Sequence, residues 1–395
     1  MKNSEQYDFD TPVERRGTAS LKWEKYRSRD IIPMWVADMD FRSPPEVLKA
    51  IVNRTAHGVF GYTLPPKKLN GQIVLMLNKT YDWTVDPEWL VWLPGLVTGL
   101  NVACRAVGRD GDDVMTAVPV YPPFLTAPGF SRRNLVKVPL KEDDGCWQFD
   151  FDRLEETITD KTRMFILCNP HNPVGRVFKH SELAELAAIC NKYDIVICSD
   201  EIHCGLILDK DKVHVPTATL APEIADRTIT LMAPSKTFNI PGLGCAFAVI
   251  SNRKLRKQFK KAMAGIVPGP NALGYTATMA AFSECADWHE ALLKYLRANL
   301  ETVSGAIRQM PSLTISPVEA TYLAWIDMRN SGLQNPVKFF EEAGVGLQDG
   351  IEFDGPGFAR LNFGCPRKLL RKALDRMKAA MDNHNTQPGQ AGIEY

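Results

Sequence analysis

The sequence predicts an α/β protein with a mostly parallel central sheet flanked by helices, followed by a smaller α+β unit. Three observations carry this expectation. Short apolar, β-branched runs at 89–93, 113–120, 162–168, 195–199 and 228–232 are separated by long connections, as parallel strands require. Helical periodicity fills those connections, for example Leu183, Leu186, Ala187 and Cys190 between two of the runs. Past a long amphipathic segment that begins near Asp287, a shorter block mixes strand and helix patterns. At 395 residues the chain exceeds one ordinary core. The expected division is an N-terminal segment at 1–45, a large domain at 46–286, a small domain at 287–383 with which the N-terminal segment packs, and a disordered tail at 384–395.

Composition bounds the partners. Hydrophobic residues make up 45% and charged residues 24%, as in globular proteins. Net charge is +1 with no long basic run, so neither nucleic acid nor an anionic membrane is an expected partner. The nine cysteines are scattered, several inside apolar runs, without paired metal-ligand spacing. That suits reduced, mostly buried thiols, and no metal site is expected. Residues 1–6 lack an apolar secretory core and no run approaches the length of a membrane span, so a cytoplasmic location is expected.

Taken in order, the first informative stretch is Trp35-Val36-Ala37-Asp38-Met39-Asp40-Phe41, which reads as extended chain lining a site or as an edge strand. Pro44-Pro45 opens a helix through 46–52, and a Gly-flanked aromatic loop carrying Phe60 and Tyr62 leads to a helix over 73–81. The run 89–93 turns at Pro94-Gly95 into a helix from Leu96. The first amides of that helix, at Leu96 and Val97, lack internal partners, and its dipole favours an anion. The run 113–120 ends on Tyr121, whose ring either closes the core or offers a face for stacking. The run 162–168 enters Asn169-Pro170-His171-Asn172-Pro173-Val174-Gly175, a loop stiffened by proline that presents side-chain amides.

The run 195–199 ends in Asp200-Glu201-Ile202-His203. A carboxylate at the end of an apolar strand needs a cation or a donor, and the next strand brings Lys236. That strand, 228–232, ends in Ala233-Pro234-Ser235-Lys236-Thr237-Phe238-Asn239. An amine held in apolar surroundings there has a lowered pKa and becomes nucleophilic, although on this segment alone Lys236 reads equally as a surface lysine. A strand at 245–250 follows, then a basic helix at 253–263 that reads as a solvated face, then the long helix, with Asp287 and Glu290 at capping-box spacing. Strands at 313–316, 322–328 and 359–363 and helices at 337–342 and 368–382 complete the smaller unit.

Ligands of open parallel sheets sit at the carboxyl ends of the strands. Those ends carry the helix amides after Gly95, Tyr121, Asn172, Asp200 with His203, and Lys236. An anion site, a stacking ring, an amide, a carboxylate and a buried amine together describe a socket for pyridoxal 5'-phosphate, with the carboxylate on the pyridine nitrogen and the lysine as the covalent anchor.

Over roughly residues 5–382 the sequence also resembles the fold-type I, aspartate-aminotransferase-like enzymes that use this cofactor, and within them the cystathionine β-lyase branch of carbon-sulfur lyases. The resemblance rests on the Trp35–Phe41 stretch, the Asn169–Gly175 loop, Ser199-Asp200-Glu201-Ile202-His203, Ser235-Lys236-Thr237-Phe238-Asn239 and Arg360-Leu361-Asn362. His203 matches the lyase branch, where many aminotransferases carry Tyr. The resemblance implies Lys236 as the cofactor-bearing residue, Asp200 on the ring nitrogen, Asn172 on the ring hydroxyl and Tyr121 stacked on the ring. It also implies that Arg360 clamps the carboxylate of an amino-acid substrate, with Asn172 and Ala37 beside it, and that Tyr62 reaches the phosphate of the neighbouring subunit's cofactor in a homodimer. Outside that context Arg360 reads as a surface residue, Asn172 as a turn residue, Tyr62 as an interface residue and His203 as a packing histidine.

Two positions depart from the family pattern. Ala233 stands where many relatives place a phosphate-binding hydroxyl, and Gly244 where aminotransferases often place an Arg. Phosphate binding then leans on the amides of Leu96 and Val97, on Ser235 and on Tyr62. The expected activity is α,β-elimination of cystathionine or an S-substituted cysteine to a thiol, pyruvate and ammonia. The same socket would serve an aminotransferase, or a regulatory protein that keeps the fold and cofactor.

Overall fold

The computed structural model describes residues 7–143 and 145–386. Seven strands form the large sheet: β1 (Leu90–Leu93), β2 (Asp113–Val118), β3 (Asn134–Pro139), β4 (Thr162–Cys168), β5 (Val196–Asp200), β6 (Thr228–Met232) and β7 (Ala246–Val249). Their order across the sheet is β1-β7-β6-β5-β4-β2-β3. The five strands from β6 to β3 are parallel, and β7 runs antiparallel between β6 and β1. Both faces are covered. Val114, Met164, Ile166, Ile229 and Leu231 enter one core, and Met115, Phe165, Leu167 and Ile197 enter the other. Side chains alternate across each strand, so a strand buried on both faces reads as one continuous apolar run.

A second sheet of four strands, β8 (Thr314–Ile315), β9 (Leu323–Asp327), β10 (Gln348–Asp349) and β11 (Phe358–Asn362), pairs antiparallel in the order β8-β9-β11-β10. The long helix Ala286–Ile307 and the last helix, Arg367–Thr386, belong to this part of the chain. The last helix runs past its expected end at 382, and the rest of the predicted tail, like residues 1–6, lies outside the described residues. The expected capping box at Asp287 and Glu290 does not form. The long helix begins one residue earlier, its N-cap is Cys285, and no side chain caps it.

Some elements escape periodicity for identifiable reasons. The edge strand β3 alternates weakly, with most of its residues at least partly exposed. The helix Ala272–Glu284 buries Gly274, Tyr275, Ala277, Thr278, Ala280 and Ala281 and so has no clear polar face. The helix Pro122–Phe130 starts on the two prolines after Tyr121, where Pro fits a first turn. Among the described residues no helix is long and apolar enough to cross a membrane.

The stretch 34–41 is neither strand nor helix. Ile32–Pro33 pairs in parallel with Val345–Gly346, and the chain then leaves the pairing. Backbone bonds remain at Met34, with Gly346 and Asn362, and from the Asp40 amide to the Gly364 carbonyl, and side chains supply most of the others. Asn362 Nδ2 donates to the carbonyls of Val36 and Asp38, and Asn239 bonds the Met39 amide at 3.0 Å and the Met39 and Phe41 carbonyls at 3.0 and 2.8 Å. The acids of the stretch face a buried cation. Lys22 is fully buried and lies 2.7 Å from Asp40, which also receives Arg15 at 2.6 Å and the Trp23 indole N–H at 2.8 Å.

Asp40→Ala leaves the Lys22 ammonium in the interior without its nearest carboxylate. Breaking a buried pair from one side costs about 3–5 kcal/mol, so urea unfolding of the variant should show a loss of that size. A change no larger than that of a surface substitution would contradict the buried pairing.

Candidate active site

At the carboxyl-terminal rim of the large sheet, loops from five of its strands meet the 34–41 stretch around a cavity of about 210 Å³. The helix Leu96–Ala106 points its N-terminus at this cavity. Its N-cap, Gly95, has no side chain to satisfy the first amides, so Leu96, Val97 and Thr98 present them to the cavity. Gly244 stands opposite with φ +55°, in the left-handed region, and a Cβ there would meet the Pro94 carbonyl oxygen at 3.2 Å. The departure at position 244 is thus a packing requirement as well as a missing charge.

Lys236 follows strand β6 by four residues and reaches the cavity partly accessible. Its Nζ donates to the Ala37 carbonyl at 2.5 Å, and the same oxygen accepts from the Tyr322 hydroxyl at 2.9 Å. Desolvation, reinforced by the Arg360 charge, lowers the amine to about 8, against the opposing pull of Asp38 and Asp200. Asp200, at the end of β5, is buried and pushed up to about 7. Desolvation is the main cause, Glu201 adds to it, and the Ile202 N–H at 3.1 Å and the Lys236 charge oppose it. The cation expected to meet Asp200 does not pair with it directly, since Lys236 is drawn to Ala37 instead. Both groups face the same cavity.

Arg360 sits in the middle of β11 and is buried, not on the surface. Its guanidinium donates to Asn172 Oδ1 at 2.9 Å, Gln348 Oε1 at 2.8 Å and the Trp35 carbonyl at 2.9 Å, with the Phe353 ring 4.7 Å away. Among the described residues no carboxylate pairs with it, and its Nε has no partner. Burial lowers it to about 10. A buried guanidinium bonded only to neutral acceptors is poised for an anion.

The remaining predicted residues divide clearly. Tyr121, Asn172, Ser235, Ala37 and His203 all line the cavity. Burial raises the Tyr121 phenol and pushes the His203 imidazole well below its ordinary range, with Lys236 and Arg360 adding to the latter. His203 is therefore neutral, and its Nδ1 has no partner. Tyr62 is the exception: it is fully exposed and lies in a separate hollow with residues 268–273.

Several residues escaped the sequence reading. Tyr322, just ahead of β9, and Gln348, in β10, arrive from the small sheet, and nothing in their local sequence announces a site. Behind Asp200, the fully buried Glu201 accepts from the Ser199 hydroxyl at 2.8 Å, the Thr217 amide at 3.0 Å and His214 Nε2 at 2.8 Å. A buried acid beside another, with a histidine 13 positions on, was the one available signal.

The residues present fit pyridoxal 5'-phosphate on four counts: an uncapped helix N-terminus for the phosphate, an acid with no cation of its own for the pyridine nitrogen, a desolvated amine, and a neutral ring wall. Fold and cavity together define a pyridoxal-phosphate enzyme of the aminotransferase-like kind. Residues 29–377 match the model of aminotransferase class I and II, and the chain belongs to that family. It is 37% identical over 386 residues to cystathionine beta-lyase PatB of Bacillus subtilis (strain 168), covering 95% of this chain and 100% of that one. Among solved structures it resembles OvoB, with a TM-score of 0.93 at 40% identity, covering 98% of this chain and 100% of that one. It also resembles the PLP-bound C-S lyase of Staphylococcus hominis, with a TM-score of 0.90 at 33% identity, covering 95% and 98%.

The two perturbed groups set opposite pH windows in the cofactor-free protein. Asp200 is raised, so the folded state holds its proton more tightly than the unfolded chain between about pH 4 and about pH 7, and stability falls as pH rises through that window. Lys236 is lowered, so stability rises again between about pH 8 and about pH 10.4. Asp200→Asn keeps an acceptor for Ile202 but carries no charge. Each tenfold change in proton affinity between the folded and unfolded states is worth about 1.4 kcal/mol. Chemical denaturation of the cofactor-free variant should therefore show a gain of a few kcal/mol over the parent at pH 8, and none at pH 4. A gain of equal size at both values would assign the effect to packing.

Proposed function

We propose that the protein is a pyridoxal-phosphate-dependent carbon-sulfur β-lyase that cleaves cystathionine or S-substituted cysteines. The observation that carries the reading is an amine near pKa 8 in the cavity and, bonded to the cavity-lining Asn172, a buried guanidinium lacking any carboxylate partner among the described residues. An α-amino acid complements such a site. Arg360 receives its carboxylate through a two-pronged contact, and Asn172, held by Arg360, sets the orientation. The names of the relatives, cystathionine beta-lyase and C-S lyase, support elimination as the outcome.

When bound, the cofactor supplies an electron-withdrawing ring that accepts the electron pair left on the substrate α-carbon. The chain's own residues do the rest. Asp200 would hold a proton at the ring nitrogen, the amides of Leu96 and Val97 with Ser235 would hold the phosphate, Asn172 would meet the ring hydroxyl, and Tyr121 would lie against the ring. Lys236, close to neutral pH in its affinity for a proton, takes the α-proton as a general base. The sulfur then departs from the β-carbon with its bonding electrons. Neutral His203 stays at the cavity wall and adds no competing charge.

The working unit in this reading is a homodimer in the cytoplasm. Tyr62 is fully exposed beside exposed Val59, Phe60 and Leu64, an apolar run that a second copy would cover, and in this arrangement Tyr62 would reach the partner's phosphate.

Pyruvate, ammonia and thiol should form in equal amounts from cystathionine or an S-substituted cysteine without any added 2-oxo acid. Turnover that requires a 2-oxo acid would replace the lyase reading with an aminotransferase. Lys236→Ala should lower kcat by about 10²–10⁴-fold. Arg360→Lys, which loses the fork geometry, should raise KM roughly 10-fold or more while leaving cofactor absorbance in place, equivalent to at least about 1.4 kcal/mol of substrate binding.

A further inference from the structure

The carbonyl of Ala37 accepts from the Lys236 amine at 2.5 Å, and it is shared with the Tyr322 hydroxyl, which donates to it at 2.9 Å. A carbonyl oxygen has two acceptor sites, so these two donors fill it. Tyr322 is buried, and burial together with the nearby Asp38 charge raises its phenol, which therefore keeps its proton.

An unusual backbone puts the ring there. Thr321, the residue before it, is buried with φ +76°, a conformation that a β-branched residue rarely adopts. Its amide donates to the Leu206 carbonyl at 2.9 Å, its hydroxyl accepts from the Leu323 amide at 3.1 Å, and the Tyr322 carbonyl accepts from the Phe363 amide at 2.9 Å. Gly364 leaves the ring its room, since a Cβ there would meet Tyr322 Cδ2 at 3.2 Å. Strained residues persist where the surrounding structure over-determines them, and they cluster at functional sites.

What the phenol contributes follows from the shared oxygen. Lysine carries its charge on a flexible stem with three rotatable donors, so an otherwise free carbonyl would hold it over a wide arc and hold the ammonium more tightly than the amine. A second donor narrows that arc and sets a positive hydroxyl hydrogen beside the amine, which disfavours the ammonium. Of the other groups acting on Lys236, Arg360 works in the same direction and Asp38 and Asp200 oppose it, while Tyr121 and His203 in the cavity wall are uncharged.

We propose that Tyr322 is a positioning residue for Lys236, fixing the direction from which the Ala37 carbonyl holds the amine and favouring its unprotonated form. The inference rests on Lys236 acting as the base of the proposed reaction. It places Tyr322 behind that base rather than against the substrate.

Tyr322→Phe keeps the ring and removes only the donor. In cofactor-free protein, the pH dependence of Lys236 acetylation by acetic anhydride, read on its peptide by mass spectrometry, needs no catalysis. The parent midpoint is expected at about 8, and that of the variant about half a pH unit higher or more, about threefold in proton affinity. In the holoenzyme, exchange of the α-proton of L-alanine with deuterated water reads the base step without any leaving group. The variant should exchange about tenfold more slowly at saturation, with half-saturation by alanine and cofactor absorbance unchanged. Tyr26→Phe, which removes a buried phenol that donates to Glu341 at 2.9 Å, should keep the parental values of both. Tyr322→Met also lacks the donor and serves if the phenylalanine variant does not fold. An unchanged Lys236 midpoint, a parental exchange rate, or an equal change in Tyr26→Phe would overturn the role of Tyr322. Absence of exchange in the parent would instead overturn the proposed function, and the acetylation profile would still decide on Tyr322.

Discussion

The structure depends on keeping three ionisable groups at one site, two lining the cavity and one behind its Asn172 wall, without letting them neutralise one another. Lys236, Asp200 and Arg360 each meet only neutral partners: a carbonyl for the amine, an amide N–H for the acid, and carbonyl and side-chain amide oxygens for the guanidinium. Desolvated charge is expensive, several kcal/mol per ion even after relaxation. The altered proton affinities of Lys236 and Asp200 are the direct expression of that expense. Had Lys236 paired with Asp200, both would be more comfortable and neither would be available. The neutral partners solve the hydrogen-bonding problem while leaving the charge unanswered until cofactor and substrate arrive.

Supporting those neutral partners takes structure from distant parts of the chain. The Ala37 carbonyl is useful only because the 34–41 stretch cannot shift. Asn362 and Asn239 hold its backbone, while Lys22, Arg15 and Trp23 anchor its two acids. Tyr322 closes the arrangement from the small sheet by donating to the same carbonyl as Lys236. The N-terminal stretch is thereby a strap between two sheets, fixed by side chains at its carbonyls as much as by its few backbone bonds at Met34 and Asp40.

How much of this was legible in the sequence follows from where the determining contacts lie. Strands β4, β5 and β6 read directly because burial on both faces writes an unbroken apolar run, and their ends place Asn172, Asp200 and Lys236 at one rim. The edge strand β3 and the helix Ala272–Glu284 were invisible because one is half solvated and the other has no polar face. Asn239 and Asn362 stood inside recognisable motifs, yet their role in bracing a third segment depends on contacts more than 190 positions away in sequence. Tyr322 was illegible for the same reason, while Gln348 and the Glu201–His214 pair make contacts only 12 and 13 positions away that no motif announces. Tyr62 is a different case. It is fully exposed and stands apart from the cavity that the other predicted residues line.

The reversed direction of β7 bears on how the chain tolerates change in length. Because it starts at the rim where β6 ends, and pairs with β6 directly, residues 233–245 form a span pinned at both ends by adjacent strands. Lys236 and Gly244 sit near opposite ends of that span, on facing sides of one cavity. A parallel crossover could absorb added residues at a distance from the site. Here every inserted or deleted residue would move the amine relative to the phosphate end, so variation in length among functional descendants of this chain belongs almost anywhere else.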